Sequence, residues 1–469
     1  MFMFLLGALV TIINHLFGWT KVSIYGWVIE HVMIAPIILH ASYCLFHPHF
    51  FGQLGTILSL AVIATVLNCF IIAGVVYASI QNIESLNMMT GYQVLMFSAL
   101  ISAVDPVAVL AVFDTVGANR ALYYLVFGES LLNDGVTFVM YEGFKVFTIL
   151  SRESAAKIIK WHHYGILLLS FITKPVFGIL IGFVTALLSS FVSRFSTEKS
   201  DYLQPLINIL FAAQAYLLAI TFGFSGILSL IAFGLAQQRY TFMNITNTAV
   251  VKTKNLVRGF ALVSELFLFF ILGSEFAALD FKNIIAFASI VWVVMCIARA
   301  LVTSLCCFVG NKVSRHEINW KWQILLIVGG MRGAIAYAMV IQYQGRPFSE
   351  IFYGTTVFLI FVTTVKNGML AKPLVTLLQL KEEGQDHDYD HEYGWDDLEK
   401  LSRPMRYYKI FEKKFILPCF TKDNKTMEVA KNEVLEADEE NIFDRLQKKH
   451  KASQKKNKAN EKKNKKNKK

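Results

Sequence analysis

Charge is what this sequence has least of. Only 17% of its 469 residues are charged, while 55% are hydrophobic; ordinary soluble domains carry roughly 25% charge. A soluble protein of this length needs a polar surface that such a composition cannot supply. Cysteine is scarce too. The six, Cys44, Cys69, Cys296, Cys306, Cys307 and Cys419, lie mostly in apolar runs, with a spacing that fits neither a zinc site nor a disulfide framework. They read as small buried hydrophobes. The N-terminus, MFMFLLGALVTIINHLF, lacks a basic leader and a small-residue cleavage site, so it reads as a membrane segment and not as a cleaved signal. Nothing in the chain calls for a cofactor.

What is present is apolar length. Apolar segments fall at about 2–17, 23–45, 54–80, 92–113, 121–141, 164–192, 203–222, 224–236, 256–279, 283–310, 322–343 and 351–378. Most match a hydrocarbon core of about 30 Å at a rise of 1.5 Å per residue. The expected fold is an all-α polytopic membrane protein with about 12 transmembrane helices in residues 1–380. The short pair flanking Gly223 reads as two helices or as one broken helix.

Residues 381–469 change in character and read as a tail. An acidic, His-containing stretch leads to RPMRYYKIFEKKF, basic and aromatic (403–415), and then to a Lys-rich end (448–469) that has no capacity to form a core. The net charge of +11 comes largely from that end, so it signals anionic lipid and not nucleic acid. A cytoplasmic tail and an even helix count put the N-terminus in the cytoplasm. The Lys/Arg bias of the loops favours this orientation modestly, with the stretch after residue 141 against it. The sequon at Asn244 would then be cytoplasmic and carry no glycan.

The informative residues are ionisable groups inside apolar segments, each of which normally lines an aqueous cavity or meets a partner. In FSALISAVDPVAVLAVF (97–113), Asp105 is followed by Pro106, which removes a backbone donor and frees carbonyls that can face an ion. The alternative is a kinked helix with Asp105 satisfied structurally. In LVFGESLLNDGVTFVMY (125–141), Glu129 and Asp134 are five residues apart and point about 140° apart on a helix. Asn133 adds a neutral oxygen beside Asp134. A hard cation such as sodium wants oxygen ligands, and a desolvated carboxylate also competes for a proton. One group that holds either ion, never both, is the minimal chemistry of an exchanger. In LIVGGMRGAIAYAMV (326–340), Arg332 is flanked by glycines that let another helix approach, and its guanidinium demands a carboxylate. Glu129 is the first choice, Glu265 or Asp105 the alternatives. Arg299 is a further buried cation, and Lys366 lies nearer a helix end.

Together with PIIL, GTIL, FSGILSLIAFG, SELFLFFILG and CIARALV, these segments follow the order and spacing of the animal sodium/proton exchangers of the cation/proton antiporter superfamily, which the chain resembles from about residue 30 to about 380. The resemblance implies an inverted-repeat core with discontinuous helices that moves as an elevator, usually in a homodimer, and electroneutral exchange of sodium for protons. It assigns Asp134 as the carrier of sodium or a proton with Asn133 beside it, places Asp105 and Ser102 in the ion-binding set, makes Glu129 and Arg332 a structural ion pair, and leaves Pro106, Glu265 and Arg299 in support. A single carboxylate loaded with Na⁺ or H⁺ carries the same net charge either way, which fits electroneutrality; electrogenic relatives tend to have a second aspartate where this chain has Asn133.

Departures from the pattern are informative. No counterpart of the family's first membrane helix is seen. His40 stands where the family usually has aspartate, and it either titrates or sits as a satisfied core histidine. Glu30 and His31 replace apolar residues of the segment linked to amiloride-type inhibitors. Lys366 either snorkels to the interface or places a cation near the core. The apolar helix that binds a calcineurin-B-like subunit is absent between Lys381 and Trp395, which puts that partner in doubt, whereas the basic juxtamembrane segment suits phosphoinositide. The motif spellings favour the plasma membrane over an endosomal one. The rival readings are an intramembrane aspartyl protease, whose Tyr-Asp and Gly-x-Gly-Asp surroundings are missing here, an ion channel, and a transport-inactive paralogue that regulates another exchanger.

Overall fold

A computed structural model describes residues 2–17, 26–83, 86–105, 113, 119–153, 161–195, 202–313, 318–378, 412 and 416–421. Backbone groups in hydrocarbon must be satisfied within their own segment, and the described chain is accordingly helical. The helices are α1 (Phe2–Phe17), α2 (Gly26–Leu45), α3 (Leu54–Ile80), α4 (Gly91–Ile101), α5 (Arg120–Glu153), α6 (Trp161–Arg194), α7 (Gln204–Thr221), α8 (Gly226–Ala236), α9 (Asn247–Ala277), α10 (Phe281–Val313), α11 (Trp320–Val328), α12 (Ala334–Ile341) and α13 (Ser349–Leu377). Single π-helical stretches interrupt α2 at Ile29–Met33 and α3 at Ser59–Ala64. Seven of the helices, α2, α3, α6, α7, α9, α10 and α13, are long and apolar enough to cross a bilayer.

The expected apolar segments coincide with these helices, with three informative differences. The segment expected at 92–113 stops being helical at Ile101 and runs through Asp105 as extended chain. The one expected at 322–343 splits into α11 and α12 around 329–333. The one expected at 121–141 continues to Glu153, so Lys145, in the stretch after residue 141 that counts against the orientation, sits on α5 and pairs with Glu142 at 2.9 Å. The pair around Gly223 is two helices, because Gly223 takes a left-handed φ of 77° that ends α7. Of the tail, segment 403–415 lies outside the described residues except for Glu412, and 448–469 lies outside them altogether.

The helices sort into two groups. In one, α3, α4, α5, α10, α11, α12 and α13 pack on each other; in the other, α1, α2, α7, α8 and α9 do, with α6 laid against α7 and α8. The second group is held by backbone-to-backbone approach at glycines. Gly7 of α1 faces the Phe270 carbonyl of α9, and Gly273 of α9 faces that of Phe4. Gly178 and Gly182 of α6 do the same against Ser225 and Ser229. Without water to drive association, such close packing is what joins helices in lipid. Large apolar side chains such as Leu168, Leu210 and Leu301 cover the outside. Asn244 is buried, its amide donating to Ser190 O (2.9 Å) and Phe420 O (2.7 Å).

Gly182→Leu is expected to destabilise the purified protein by about 1–3 kcal/mol through overpacking. Gly259→Leu, on a helix face with open space beside it, is expected to leave the melting temperature in detergent unchanged.

Candidate ion-binding site

The two interrupted helices cross. Past the end of α4, the backbone N–H of Asp105 donates to Met331 O at 2.8 Å in an isolated antiparallel bridge with the extended stretch between α11 and α12. Glycines make the crossing possible: a Cβ on Gly333 would collide with the Asp105 carboxylate, and one on Gly330 would press on the Arg299 guanidinium. The sequence signal for this break, Pro106, lies outside the described residues.

A cavity of about 260 Å³ lies between the two helix groups at this crossing. Asp105, Asp134, Tyr123, Phe127 and Gly333 line it from the first group; Ile38, His40, Cys44, Glu265 and Leu272 line it from the second. Asp134 is buried at 6% exposure, and Asp105 is half-buried. Beyond Ile34 and Ile335, toward the other end of the bundle, α12 meets α2, α7 and α8 around a void of only about 20 Å³ lined by Phe138, Tyr216, Ile227 and Met339. That is room for about one water molecule among apolar walls.

The structure brings Asp105, Asp134 and Glu265 to one cavity, but it treats the other sequence candidates differently. Ser102 gives its hydroxyl to Ser98 O (2.7 Å), within its own helix, and does not line the cavity. Asn133 is turned away from the cavity and donates to Thr65 Oγ1 at 2.6 Å. His40 lines the cavity with its Nε2 3.8 Å from Cys44 Sγ. His31 bonds Tyr216 OH at 2.9 Å. Lys366 neither reaches the cavity nor leaves the protein face: its ammonium sits 5.5 Å over the Trp292 ring. Among the described residues, no cluster of three or more His, Cys, Asp or Glu side chains is arranged as a resident metal centre.

The expected Glu129–Arg332 pair is corrected. Glu129 pairs with Arg299, NH1 to Oε1 at 2.9 Å and NH2 to Oε2 at 3.3 Å, both side chains being buried. Arg299 also donates to Leu326 O at 3.0 Å. Arg332 instead serves the crossing itself, donating to Ala103 O at 2.7 Å and to Met295 Sδ at 3.1 Å. The reason is geometric. Glu129 faces α10, whose regular helix can present a long side chain to it, while Arg332 sits in the broken stretch beside the freed carbonyl of Ala103. A spacing of 170 residues between Glu129 and Arg299 leaves no local signal that would have named this partner.

A family model described as sodium/hydrogen exchanger, transmembrane, matches residues 2–377. The chain belongs to the sodium/hydrogen exchanger family. Among curated relatives, it is 35% identical to the Na(+)/H(+) exchanger beta of Oncorhynchus mykiss over 75% of this chain and 46% of that protein. It is 33% identical to Na(+)/H(+) exchanger protein 7 of Caenorhabditis elegans, over 76% and 46%. It is 32% identical to human sodium/hydrogen exchanger 3, over 80% and 45%. The chain thus spans about half the length of the curated relatives it matches. Among solved structures, the sodium proton antiporter MjNhaP1 of Methanocaldococcus jannaschii superposes with a TM-score of 0.55 at 17% identity, covering 81% of this chain and 97% of that one. This likeness shows a shared all-helical antiporter fold.

The pairing predicts a double-mutant outcome. Arg299→Gln strands the Glu129 carboxylate and is expected to cost about 3–5 kcal/mol, seen as loss of monodisperse protein on size exclusion. Adding Glu129→Gln is expected to restore most of the yield.

Proposed function

We infer that the chain exchanges sodium for protons across a membrane, with Asp134 as the group that carries either ion in turn. The observation that carries this reading is the placement of one deeply buried carboxylate in a cavity between two helix groups, next to a crossing of broken helices. Cation and proton compete there for the same oxygens, so loading one requires release of the other. Asp105 adds a second oxygen-bearing side chain on the crossing, and Glu265 faces them from the opposite wall, where it can draw cations into the cavity. The Glu129–Arg299 pair is internally neutral and stays out of the exchange. Because the carboxylate returns with the same net charge whichever ion it carries, the exchange is electroneutral.

Alternating access follows if the group bearing Asp105 and Asp134 moves against the other as an elevator, opening the apolar closure beyond Ile34 and Ile335 and sealing the end at Cys44. We place the protein in the plasma membrane as a homodimer, with its tail in the cytoplasm and its basic segment 403–415 against phosphoinositide, as a regulator of cellular pH and sodium. A calcineurin-B-like subunit is not part of this reading.

Purified protein in liposomes is expected to dissipate an imposed pH gradient on addition of sodium, without current. Asp134→Asn is expected to abolish that signal while leaving yield and melting temperature intact. Exchange that survives the substitution overturns the assignment, and a folded wild type with no exchange under any gradient favours a transport-inactive regulator. Gly333→Ala, which displaces the Asp105 carboxylate, is expected to reduce the rate at least about ten-fold by misplacing that group, measured in the same assay.

A further inference from the structure

Asn133 is held from another helix. It is 1% exposed, and its side-chain nitrogen donates to Thr65 Oγ1 at 2.6 Å. Thr65 is itself 1% exposed and is the first α-helical residue of α3 after the π-helical stretch Ser59–Ala64. The carbonyl oxygen of Asn133, Oδ1, is buried with no hydrogen-bond partner. Thr65 is thus the side chain's one hydrogen-bond partner among the described residues.

Two features set this contact apart from ordinary packing. Buried threonines in membrane helices usually return the hydroxyl to a carbonyl three or four residues earlier, and those at 148, 253, 356 and 363 do so here, Thr253 while also accepting a longer bond of 3.4 Å from Asn208 of α7. Thr65 instead spends its oxygen on a different helix. The π-helical stretch explains how it gets there. One extra residue in a turn rotates everything beyond it by about 100° relative to a continuous α-helix, and that rotation decides which face of α3 meets α5.

Adjacent residues on α5 are also about 100° apart. With Asn133 tied to α3 on one side, Asp134 is aimed at the cavity on the next. The geometry points to Thr65 as a positioning residue for exchange: its hydroxyl holds Asn133 and thereby sets the rotation of α5 that presents the Asp134 carboxylate to the cation. This rests on the reading of Asp134 as the carrier. Thr65 lines no part of the cavity, so its effect is on affinity and not on the ion directly.

The test is sodium-driven dissipation of a pH gradient by purified protein in liposomes, read as KM for sodium and maximal rate separately. Thr65→Val keeps the shape and removes the hydroxyl. The expected result is a rise in sodium KM of about five-fold, the factor that one neutral hydrogen bond supplies, with the maximal rate unchanged. Thr65→Ser, which keeps the hydroxyl, is expected to match the wild type. A KM in Thr65→Val equal to that of the wild type overturns the inference, as does a Thr65→Ser variant shifted as far as Thr65→Val. Should Thr65→Val not fold, Thr65→Cys, similar in size and a weak hydrogen bonder, reads the same KM. Asp134→Asn run in parallel separates the two claims. Exchange that persists in it removes the carrier reading, whereas a dead Asp134→Asn beside a normal Thr65→Val removes only the role of Thr65.

Discussion

The crossing of extended backbone at Asp105 and Met331 is the constraint from which the rest of the site follows. Unpaired peptide groups are not tolerated at membrane depth, so two helices can break there only if each supplies what the other lacks. Asp105 N–H goes to Met331 O, and Met331 N–H turns back to Gly329 O at 2.8 Å. Side chains complete the set. Arg332 takes the Ala103 carbonyl, Thr363 Oγ1 receives the Arg332 N–H at 3.1 Å, and Asn367 donates to Gly330 O at 3.3 Å. Arg332 is thus a backbone-satisfying cation. Its positive charge also lies within electrostatic reach of the Asp134 carboxylate.

Helix α5 divides its labour by angle. Glu129 and Asp134 point about 140° apart, so one can be locked to Arg299 while the other faces the cavity. The locked side gives α5 a fixed partner in α10, and the Asn133 amide gives it a second in α3. On the proposed exchange, Asp134 can therefore gain and lose charge without dragging its helix, because neither the ion pair nor the amide contact involves its carboxylate.

Much of the fold was legible because hydrophobic length is a strong signal: every expected apolar segment contains a helix, the one expected at 92–113 as far as Ile101. The breaks were legible only in part. Pro106 announced one interruption, whereas the glycines around Arg332 read as room for a neighbouring helix, and nothing announced that the two stretches would pair with each other. Charged residues in apolar surroundings pointed to Asp105, Asp134, Glu265, Arg299 and Arg332, since charge there is costly enough to need a reason. Their partners were not legible, and the Glu129 partner was assigned to the wrong arginine, because three-dimensional neighbours 170 residues apart leave no periodic trace. Thr65 escaped notice for the opposite reason. A threonine in an apolar run is cheap, so nothing in the sequence marks it.

The contrast between contacts within and between the helix groups bears on how the proposed exchange is driven. Inside the second group, glycines let backbones touch, a fit that tolerates no sliding. Between the groups the closure beyond Ile34 is lined by aliphatic and aromatic side chains, and a Phe4–Phe276–Phe361 cluster joins α1 and α9 to α13 with ring centroids 4.1–5.7 Å apart. Dispersion between such surfaces is non-directional, and one set of contacts can be exchanged for another at little net cost. Directional bonds across the boundary would resist that; among the described residues the hydroxyls of Tyr92 on α4 and Tyr164 on α6 supply such a bond at one edge, 2.6 Å apart. A carrier whose ion pair and backbone crossing lie wholly inside one group, and whose boundary is greasy, can shift that group as a body while the charges it holds keep their partners throughout.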